Sequence, residues 1–391
     1  MFYPRKILLK LKKELRTREI ILLTGMRQVG KTTLLDHLFK SLKSKNKVFL
    51  DLENPLHQKV FAEENYDNIW RNLEEFGVSP KSAFIFLDEI QNFPEISRIV
   101  KYFYDHWQTK FFLTGSSSFY LKNLFPESLA GRKLVFELFP LTFEEFLWFK
   151  GIDKKAAKGF VQKIAAKNKI AYERHVHYYR EFMEFGGMPK IVLEKDRRRK
   201  KQLLEEVFKS YFEKDVRSLA DFKEVGKLRD LIFLLASRIG SKVDITKLAS
   251  ELSLSRETVY HYLSFLEKTY FVSLLSRFSR SADRTVSGQR KLYFSDTGLA
   301  NILAKVSDGQ LFENSIFQNL QPDFRLNFYS KEGQSEIDFI ADGKFALEAK
   351  ISFGRSEISR LKKLSQNLNL KGYGISLNFS QEKQIILAID L

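Results

Sequence analysis

The stretch GMRQVGKTTLL contains residues whose types and spacing could bind phosphate. Gly25, Gly30, Lys31 and Thr32 satisfy the pattern G-x-x-x-x-G-K-[ST], between an apolar run and a helix-length segment. In this setting, backbone N–H groups wrap phosphates at a helix N-terminus, the lysine reaches the β and γ oxygens, and the threonine ligates Mg²⁺. We therefore predict an ATP or GTP site formed by Gly25, Met26, Arg27, Gln28, Val29, Gly30, Lys31, Thr32 and Thr33.

A second apolar run, AFIFLDEI, ends in two acids. We expect Asp88 to hold Mg²⁺ through water and Glu89 to orient and deprotonate the attacking water. A second acid in this order favours hydrolysis over a passive switch. On the next predicted strand, Thr114 or Ser116 is placed to contact the γ-phosphate or the water, and a simple turn is the alternative.

A third set of reactive residues lies near the C-terminus. Asp338, Glu348 and Lys350 follow the pattern D-x₉-E-x-K across two predicted strands joined by ADG. Two carboxylates on adjacent strands can converge on Mg²⁺, and a lysine beside them can position or deprotonate the attacking water. Strand alternation puts Glu348 and Lys350 on one face. The pattern predicts a nuclease-like metal site, and a salt-bridged structural cluster is the alternative.

Composition limits the remaining chemistry. The absence of Cys excludes disulfides, thiolate zinc sites and cysteine nucleophiles, and the six His residues show no paired ligand spacing. Any metal should therefore be a hard, oxygen-bound ion such as Mg²⁺. The net charge of +17 indicates a polyanionic partner, with nucleic acid favoured over an anionic membrane surface.

The chain shows no membrane or export segment. No stretch approaches the roughly 18 consecutive apolar residues of a membrane helix, and the start lacks the uninterrupted apolar core of a signal peptide. We expect a cytoplasmic protein without membrane association.

The elements that must position these residues follow from the apolar patterns. Five short apolar runs separated by helix-length segments predict a parallel sheet covered on both faces. These runs are 19–25, 47–54, 83–90, 110–117 and 134–141. From about residue 150, Lys-rich helical segments predict a lid or linker.

Residues 244–272 predict a helix-turn-helix, in which Ser255 is the N-cap of the second helix. The runs VSLLSRFSR and RKLYFSD predict the two wing strands of a winged helix. The last hundred residues predict mixed α/β structure, with a helix at 311–320 and strands at 325–331, 335–341, 344–350 and 371–377. The predicted fold is α/β, with four parts: a P-loop NTPase core at 1–150, a helical lid at 151–222, a winged helix at 223–297 and a nuclease-like α/β domain at 298–391.

Motifs along the chain together resemble a known family. GMRQVGKTTLL, FIFLDEIQ, FFLTGSSS and LAGRKLVFELFPLTFEEFL are similar to AAA-type ATPases of archaea and bacteria that carry a C-terminal domain of unknown function. LSRETVYHYLSFLEKTYFV, KLYFSDTGLA, LFENSIF and EIDFI resemble that second domain, so the resemblance covers nearly the whole chain. It implies an adenine nucleotide.

The same resemblance implies roles for two further residues. Arg132 precedes the fifth strand, where AAA-type proteins place an arginine finger that reaches a neighbour's γ-phosphate, which implies a homo-oligomer. Structural pairing of Arg132 is the alternative. The GGMP motif is similar to a lid motif in which the proline, here Pro189, packs against the nucleotide, and a helix-terminating turn is the alternative.

The C-terminal strands resemble the PD-(D/E)xK restriction-endonuclease-like fold. This resemblance implies that Glu313, on the preceding helix, is the frequent extra acid and metal ligand, and Glu336 points to the same side as Asp338. The chain lacks the Pro that often precedes the first Asp of that pattern.

The predicted winged helix has a polar outer face. Its second helix would present Arg256, Glu257, Tyr260 and His261, and its wing carries Arg277, Arg280, Arg284 and Arg290. Basic side chains at the wing suit phosphates, and helix side chains suit base edges. Glu257 opposes phosphate, so a protein-binding module is the alternative to a DNA contact.

Two hypotheses of function follow. The first is an ATP-hydrolysing, Mg²⁺-dependent, DNA-associated protein, in the extreme form an ATP-coupled nuclease. The second is an ATP-dependent regulatory switch whose C-terminal half binds protein and is catalytically inactive. A small-molecule kinase shares the phosphate loop but is disfavoured, because the C-terminal part is far larger than a lid over an acceptor substrate.

Overall fold

The structure is a computed structural model that describes residues 2–116, 131–154, 157, 159–216, 225–279, 289–331 and 335–391. It divides into two compact units. The first unit comprises residues 1–139 with 268–270, and the second comprises residues 140–267 with 271–391. Arg280 and Arg284 of the predicted wing lie outside the described residues.

The first unit is built on a parallel sheet. Its strands are β1 (Ile20–Thr24), β2 (Lys47–Asp51), β3 (Phe84–Asp88), β4 (Lys110–Gly115) and β5 (Lys133–Glu137), in the spatial order β2-β3-β4-β1-β5. All five residues of β1 are buried, because a strand inside a parallel sheet is covered on both faces. Because all strands run the same way, the loops that follow them meet at one edge of the sheet.

The helices of the first unit cover this sheet. They are α1 (Ile7–Lys13), α2 (Lys31–Ser41), α3 (Pro55–Phe61), α4 (Tyr66–Glu74) and α5 (Ile96–His106), with 3-10 turns at Glu14–Arg16 and Ile90–Asn92. Helix α2 packs against β3 and β4, so its N-terminus lies at the edge where these strands end. Trp70 of α4 stacks on Phe103 of α5 with ring centroids 4.7 Å apart, which joins the helices on the outer part of the core.

The helices of the second unit are concentrated in its first half, and a few lie among its later strands. Its helices are α6 (Phe143–Phe149), α7 (Phe160–Ala165), α8 (Lys169–Phe185), α9 (Pro189–Leu193), α10 (Arg197–Tyr211), α11 (Val225–Ala236), α12 (Ile245–Leu252), α13 (Arg256–Lys268), α14 (Thr297–Leu303), α15 (Asp308–Leu320) and α16 (Arg355–Asn367), with a π turn at Phe212–Val216 and a 3-10 turn at Ala388–Asp390. Helix α15 begins with a capping box in which Ser307 and Gln310 bond each other's backbone, so its first turn is fixed.

Two sheets complete the second unit. Strands β6 (Val272–Leu275) and β7 (Lys291–Phe294) form an antiparallel pair. The larger sheet contains β8 (Leu326–Lys331), β9 (Ser335–Ala341), β10 (Phe345–Lys350), β11 (Lys371–Ser376) and β12 (Ile385–Leu387), in the order β12-β11-β10-β9-β8. β9 is antiparallel to its two neighbours β8 and β10, whereas β10, β11 and β12 are parallel. Helix α15 packs against β10 and β7.

The parallel five-stranded sheet predicted from the sequence is confirmed. The second unit contains strands at the positions of the predicted wing and C-terminal strands, and β12 was not predicted. The boundary between the compact units follows Phe139, inside the fifth predicted apolar run, and the finer four-part division stays a prediction. Among the described residues, no helix combines the length and apolar character needed to cross a membrane.

Candidate nucleotide site and carboxylate cluster

The predicted phosphate-binding loop connects β1 to α2 at the carboxyl edge of the sheet. Gly25 has φ +145°, and a Cβ atom added there would lie 2.1 Å from the carbonyl oxygen of Leu138. Gly30 has φ +98° and directly precedes the first residue of α2. Glycine adopts such positive φ values without strain, and at Gly25 it also permits the close approach of Leu138, so the two glycines of the pattern shape the loop.

Lys31 is held over the loop that precedes it. Its side chain is buried, and Nζ donates to the carbonyl oxygens of Gly25 and Met26 at 2.9 Å each. Arg5 holds the same loop from the N-terminal segment, because its guanidinium donates to Val29 O at 2.9 Å and to Phe139 O at 2.7 Å. The motif did not reveal Arg5, since no local spacing connects it to the loop.

Asp88 lies at the end of β3, among hydroxyl groups and acids. Its carboxylate accepts hydrogen bonds from the hydroxyls of Thr114 and Thr32. Burial raises the pKa of Asp88 above its ordinary value, the two hydroxyl bonds oppose this, and the charges of Glu89 and Asp51 raise it further. A cation at this point would relieve the repulsion between the carboxylates.

The sequence prediction missed Asp51. It ends β2 and is the register partner of Asp88, so two neighbouring parallel strands each place an acid at the same edge. The run KVFLDLEN carried this signal, because its first acid directly follows an apolar run, as Asp88 does in AFIFLDEI. The oxygen donors of Thr32 and Asp88 are the hard ligands that Mg²⁺ takes, usually one or two carboxylates completed by phosphates and water, so these residues fit that ion.

Glu89 has an unusual backbone conformation. Its φ is +50°, a left-handed value that costs a non-glycine residue roughly 1–2 kcal/mol. Its backbone N–H donates to Thr114 Oγ1 at 3.1 Å, and its carboxylate accepts a hydrogen bond from the amide of Gln91. The same amide donates to Ser116 Oγ at 3.1 Å. These bonds hold the carboxylate of Glu89 next to β4, at the edge where the phosphate loop lies.

Arg132 lies at the other end of the sheet. It precedes β5, and β5 is parallel to β1, so Arg132 lies at the amino edge while the phosphate loop follows the carboxyl edge. Its guanidinium pairs with Asp105 at 3.1 Å and lies 5.8 Å from the ring centroid of Tyr104. The structural pairing that the sequence left open is therefore present. The role of Arg132 toward a neighbouring chain stays a prediction.

The GGMP segment is fixed by an aspartate of the second unit. Gly187 N donates to Asp296 Oδ2 at 2.7 Å, and a Cβ atom on Gly186, which has φ +74°, would lie 2.1 Å from Asp296 Oδ1. Burial raises the pKa of Asp296 to about 6. Backbone hydrogen bonds oppose this rise, and the largest opposing effect comes from the N–H of Gly187. Pro189 is the first residue of α9. Its contact with a nucleotide stays a prediction.

A buried lysine lies among the predicted metal-binding acids of the second unit. Lys291 Nζ is 2.8 Å from Glu313 Oε1, 2.8 Å from Glu336 Oε1 and 3.1 Å from Asp338 Oδ1. Burial acts to lower the pKa of Lys291, but Asp338, Glu313 and Glu336 raise it well above its ordinary value. We call Lys291, Glu313, Glu336 and Asp338 the Lys291 cluster. The sequence prediction named the acids but not the lysine.

Glu348 and Lys350 belong to a neighbouring ion-pair group. Glu348 accepts a hydrogen bond from Arg360, and Lys350 Nζ lies 3.7 Å from Glu348 and 3.0 Å from Glu357. Glu348 is 4% exposed. Burial and then the charge of Asp338 raise the pKa of Glu348 to about 7, against the opposing charges of Arg360 and Lys350. The predicted proximity of Asp338, Glu348 and Lys350 is therefore observed, with cationic side chains among them.

The residues of the second unit do not fit a divalent metal site. Within the described part of the chain, no set of three or more His, Asp or Glu side chains is arranged to hold a metal ion. Glu313 and Asp338 share the ammonium of Lys291, and Glu348 is paired with Arg360. No chemical step through a metal follows from this arrangement.

The predicted outer face of the helix-turn-helix is exposed. Arg256, Glu257, Tyr260 and His261 of α13 are all accessible to solvent. A groove of about 780 Å³ lies beside them, lined among others by Arg256, Tyr260, His261 and Arg290. The charge of Arg290 is partly balanced, because Arg290 lies 3.7 Å from Glu267. His261 lies 3.7 Å from Glu257.

Comparison with known proteins gives two family matches and several relatives. Residues 17–147 match a family described as an AAA domain, and residues 176–310 match a domain of unknown function. MJ1544, an uncharacterized protein of Methanocaldococcus jannaschii, is 32% identical over 339 residues, which cover 83% of this chain and 73% of that protein. An uncharacterized protein of Haemophilus influenzae is 25% identical over 335 residues, which cover 82% of this chain and 79% of that protein.

The fold is also similar to that of a solved structure. The Walker-type ATPase PABY2304 of Pyrococcus abyssi matches with a TM-score of 0.51 and 16% identity, covering 77% of this chain and 96% of that one. This likeness concerns the fold alone. Together with the AAA domain match, it shows an AAA-type P-loop ATPase fold.

Proposed function

This chain belongs to the same family as MJ1544 of Methanocaldococcus jannaschii and contains a match to an AAA domain, and on that premise we propose that it binds and hydrolyses ATP with Mg²⁺. The observation that carries the proposal is the shared edge of the parallel sheet. There the loop from Gly25 to Lys31 begins α2, and Thr32 hydrogen-bonds Asp88, which Glu89 follows.

Each residue has a chemical role in this proposal. The loop N–H groups and the N-terminus of α2 bind the phosphates, and Lys31 neutralises the β and γ oxygens. Thr32 and Asp88 would hold the Mg²⁺, which would supply positive charge against the phosphate oxygens. Glu89 accepts a proton from the attacking water, and the hydrogen bond from Gln91 orients its carboxylate. Thr114 supports both acids, because its hydroxyl bonds Asp88 and the N–H of Glu89.

ATP binding and phosphate release test the proposal directly. We expect Lys31→Ala to abolish detectable ATP binding and turnover, because it removes the cation that contacts the phosphates. Lys40→Ala is the matched control, since Lys40 lies on the same helix, is exposed and pairs with Asp36 one turn away. Equal ATP binding by wild type and Lys31→Ala would contradict the proposed site.

DNA association is a finer proposal that rests on the second unit. The net charge of +17 and the exposed groove with Arg256, Tyr260 and Arg290 support it, since basic and aromatic side chains suit phosphates and bases. We expect the double variant Arg256→Ala/Arg290→Ala to weaken binding of duplex DNA and to reduce its salt dependence by about one phosphate contact per residue. Fluorescence anisotropy across a salt series measures both.

Arg229→Ala is the control for charge, because Arg229 is an exposed arginine of α11 outside the groove lining. If the double variant binds DNA as wild type does, this face is not the DNA contact, and the switch hypothesis, in which it binds protein, is favoured.

DNA cleavage is not part of the proposed function. The Lys291 cluster and the pairing of Glu348 with Arg360 favour the hypothesis that the C-terminal half is catalytically inactive. We therefore expect duplex DNA to stay intact in the presence of the protein, ATP and Mg²⁺ or Mn²⁺. Cleavage that Asp338→Asn removes would contradict this expectation.

A further inference from the structure

The backbone of Lys291 is held on both sides. On one side β7 pairs with β6, where Lys291 is opposite Leu275. On the other side Lys291 forms a bridge with Lys242, and the neighbouring N–H and carbonyl groups bond Ser241 and Val243. With both edges of the strand paired, Lys291 cannot leave its position without breaking backbone hydrogen bonds.

The side chain of Lys291 ends inside the protein. The residue is 1% exposed, and its ammonium contacts Glu313 of α15 and both Glu336 and Asp338 of β9 at 2.8 to 3.1 Å. An ammonium has three N–H donors, so three carboxylates satisfy it completely. The arrangement places one positive charge at the point where the three acids converge.

Further donors engage oxygens of all three carboxylates. Glu336 Oε2 lies 3.4 Å from Lys242 Nζ, and Asp338 Oδ2 accepts from Ala349 N at 2.9 Å. The Tyr293 hydroxyl donates to Glu313 Oε1 at 2.6 Å. These N–H and O–H groups bind the lone pairs that a metal ion would need.

The distances are those of hydrogen bonds and not of metal coordination. Mg²⁺ requires oxygen ligands at about 2.0–2.1 Å and Ca²⁺ at about 2.3–2.6 Å. The three carboxylate oxygens surround the nitrogen of Lys291 at 2.8, 2.8 and 3.1 Å. A metal ion could occupy this point only if the buried ammonium were displaced from it.

We infer that Lys291 is the resident cation of the carboxylate cluster, and that its ammonium excludes divalent metal ions from this centre. The Lys291 cluster then joins β7 to α15 and β9 through charge and hydrogen bonds alone. This inference concerns the second unit and does not depend on the proposed ATP hydrolysis.

A metal ion between Asp338 and Glu348 is the main competing arrangement. Glu348 Oε2 is buried and has no hydrogen-bond partner among the described residues, so it is an oxygen of this region that a further cation could use. Both oxygens of Asp338, however, are engaged by Lys291 and Ala349. A test must therefore detect any metal that depends on Asp338, wherever it binds.

Mn²⁺ binding to the nucleotide-free full chain provides this test. It is measured by electron paramagnetic resonance and calorimetry in the Asp88→Asn background, which removes the proposed Mg²⁺ ligand of the first unit. We expect no bound Mn²⁺ in this background. We expect Lys291→Ala to bind one Mn²⁺ per chain, and the added Asp338→Asn substitution to remove it.

Lys242→Ala is the matched control. Lys242 contacts the same Glu336 carboxylate from a more exposed position, and its removal leaves Lys291 in place, so we expect no Mn²⁺ binding. The inference is overturned if the Asp88→Asn protein binds Mn²⁺ and Asp338→Asn abolishes that binding. It is also overturned if a folded Lys291→Ala protein binds none.

Lys291→Met guards against loss of folding. Methionine keeps much of the apolar side chain beside Tyr293 but removes the charge, and circular dichroism reports whether either variant is folded. If neither variant folds, the measurement on the Asp88→Asn protein alone decides, because Asp338-dependent Mn²⁺ binding there is incompatible with a resident lysine. An inactive ATPase would leave all of these outcomes unchanged, so the two proposals fail separately.

Discussion

The acids around Asp88 and the acids around Lys291 balance their negative charge in different ways. Asp88 is bonded by the hydroxyls of Thr32 and Thr114, and the nearby charges that act on its pKa are those of Glu89 and Asp51. In the Lys291 cluster, a cation of the protein itself contacts three carboxylates. The first arrangement suits an added cation, whereas the second supplies its own.

The difference explains why similar sequence signals lead to different expectations. The first site places acids at the ends of two adjacent strands, and the second places two acids on β9 and a third on α15. Carboxylates that converge in either way can form a magnesium site. A strand that ends in acids therefore does not by itself indicate a metal. Whether such acids bind a metal depends on the nearest buried cation of the protein. A carboxylate that is already paired gains little from a metal and must lose its partner to bind one.

The largest expected effect comes from removing the ammonium of Lys291. Lys291→Met should lower the free energy of unfolding by about 3–5 kcal/mol, because it leaves three carboxylates without their shared partner. Urea unfolding monitored by circular dichroism measures the change. Lys242→Met, at the exposed side of the same cluster, should cost about 1 kcal/mol or less. Equal midpoints for Lys291→Met and wild type would show that the ammonium does not hold the cluster together.

The next effect concerns the first group of acids. Glu89→Gln should reduce ATP turnover about 100-fold or more, because an amide cannot accept the proton of the attacking water. ATP binding should persist, since Lys31 and the loop are unchanged, and a phosphate-release assay with a binding titration separates the two properties. Glu336→Gln changes the other cluster in the same way and should leave turnover at the wild-type level. A Glu89→Gln protein with turnover close to wild type would remove Glu89 from the mechanism.

The smallest effect is a change in pH dependence. The pKa of Glu348 is raised from 4.5 to about 7, so the folded chain binds more protons at this group than the unfolded chain between these values. Its contribution therefore favours folding at low pH and declines as the pH rises toward about 7. Glu348→Gln should flatten this part of the curve of urea midpoint against pH.

The neighbouring acid Glu336 provides an internal contrast. Burial acts to raise the pKa of Glu336, but Lys291 and Lys242 lower it below its ordinary value, so its contribution to stability is present above that value and is lost as the pH falls. Glu336→Gln should therefore remove stability near neutral pH. The prediction for Glu348 would be contradicted by an identical curve of urea midpoint against pH for wild type and Glu348→Gln, because Glu348 would then titrate as an ordinary carboxyl group.

The phosphate loop could be predicted from the sequence because its geometry is local. Gly25, Gly30, Lys31 and Thr32 lie within eight consecutive positions, and positive φ values at the two glycines follow from their lack of a side chain. The parallel sheet was also predictable, since five apolar runs between helices have few alternatives. Asp51 was within reach of the same logic, because β2 is a neighbour of β3.

The partners of the C-terminal acids were not predictable in this way. The spacing of Asp338, Glu348 and Lys350 predicted that they would meet, and the structure brings them together. The same spacing contains no information about Lys291, which lies 47 positions before Asp338. Arg360, the partner of Glu348, lies 12 positions beyond it on α16. In the sequence, an arginine at such a position cannot be distinguished from one on an ordinary exposed helix face.

The sequence alone thus determined the conformation of short segments, namely the phosphate loop, the strands that lead into it and the positions of the acids. Tertiary structure decided which charge meets which, since the pairing of β7, the position of α15 and the register of β9 together place one ammonium among three carboxylates. The physical reason is the separation along the chain of the groups that interact. Backbone conformation responds to neighbouring residues, whereas the pairing of buried charges depends on groups that only folding brings within a few ångströms of one another.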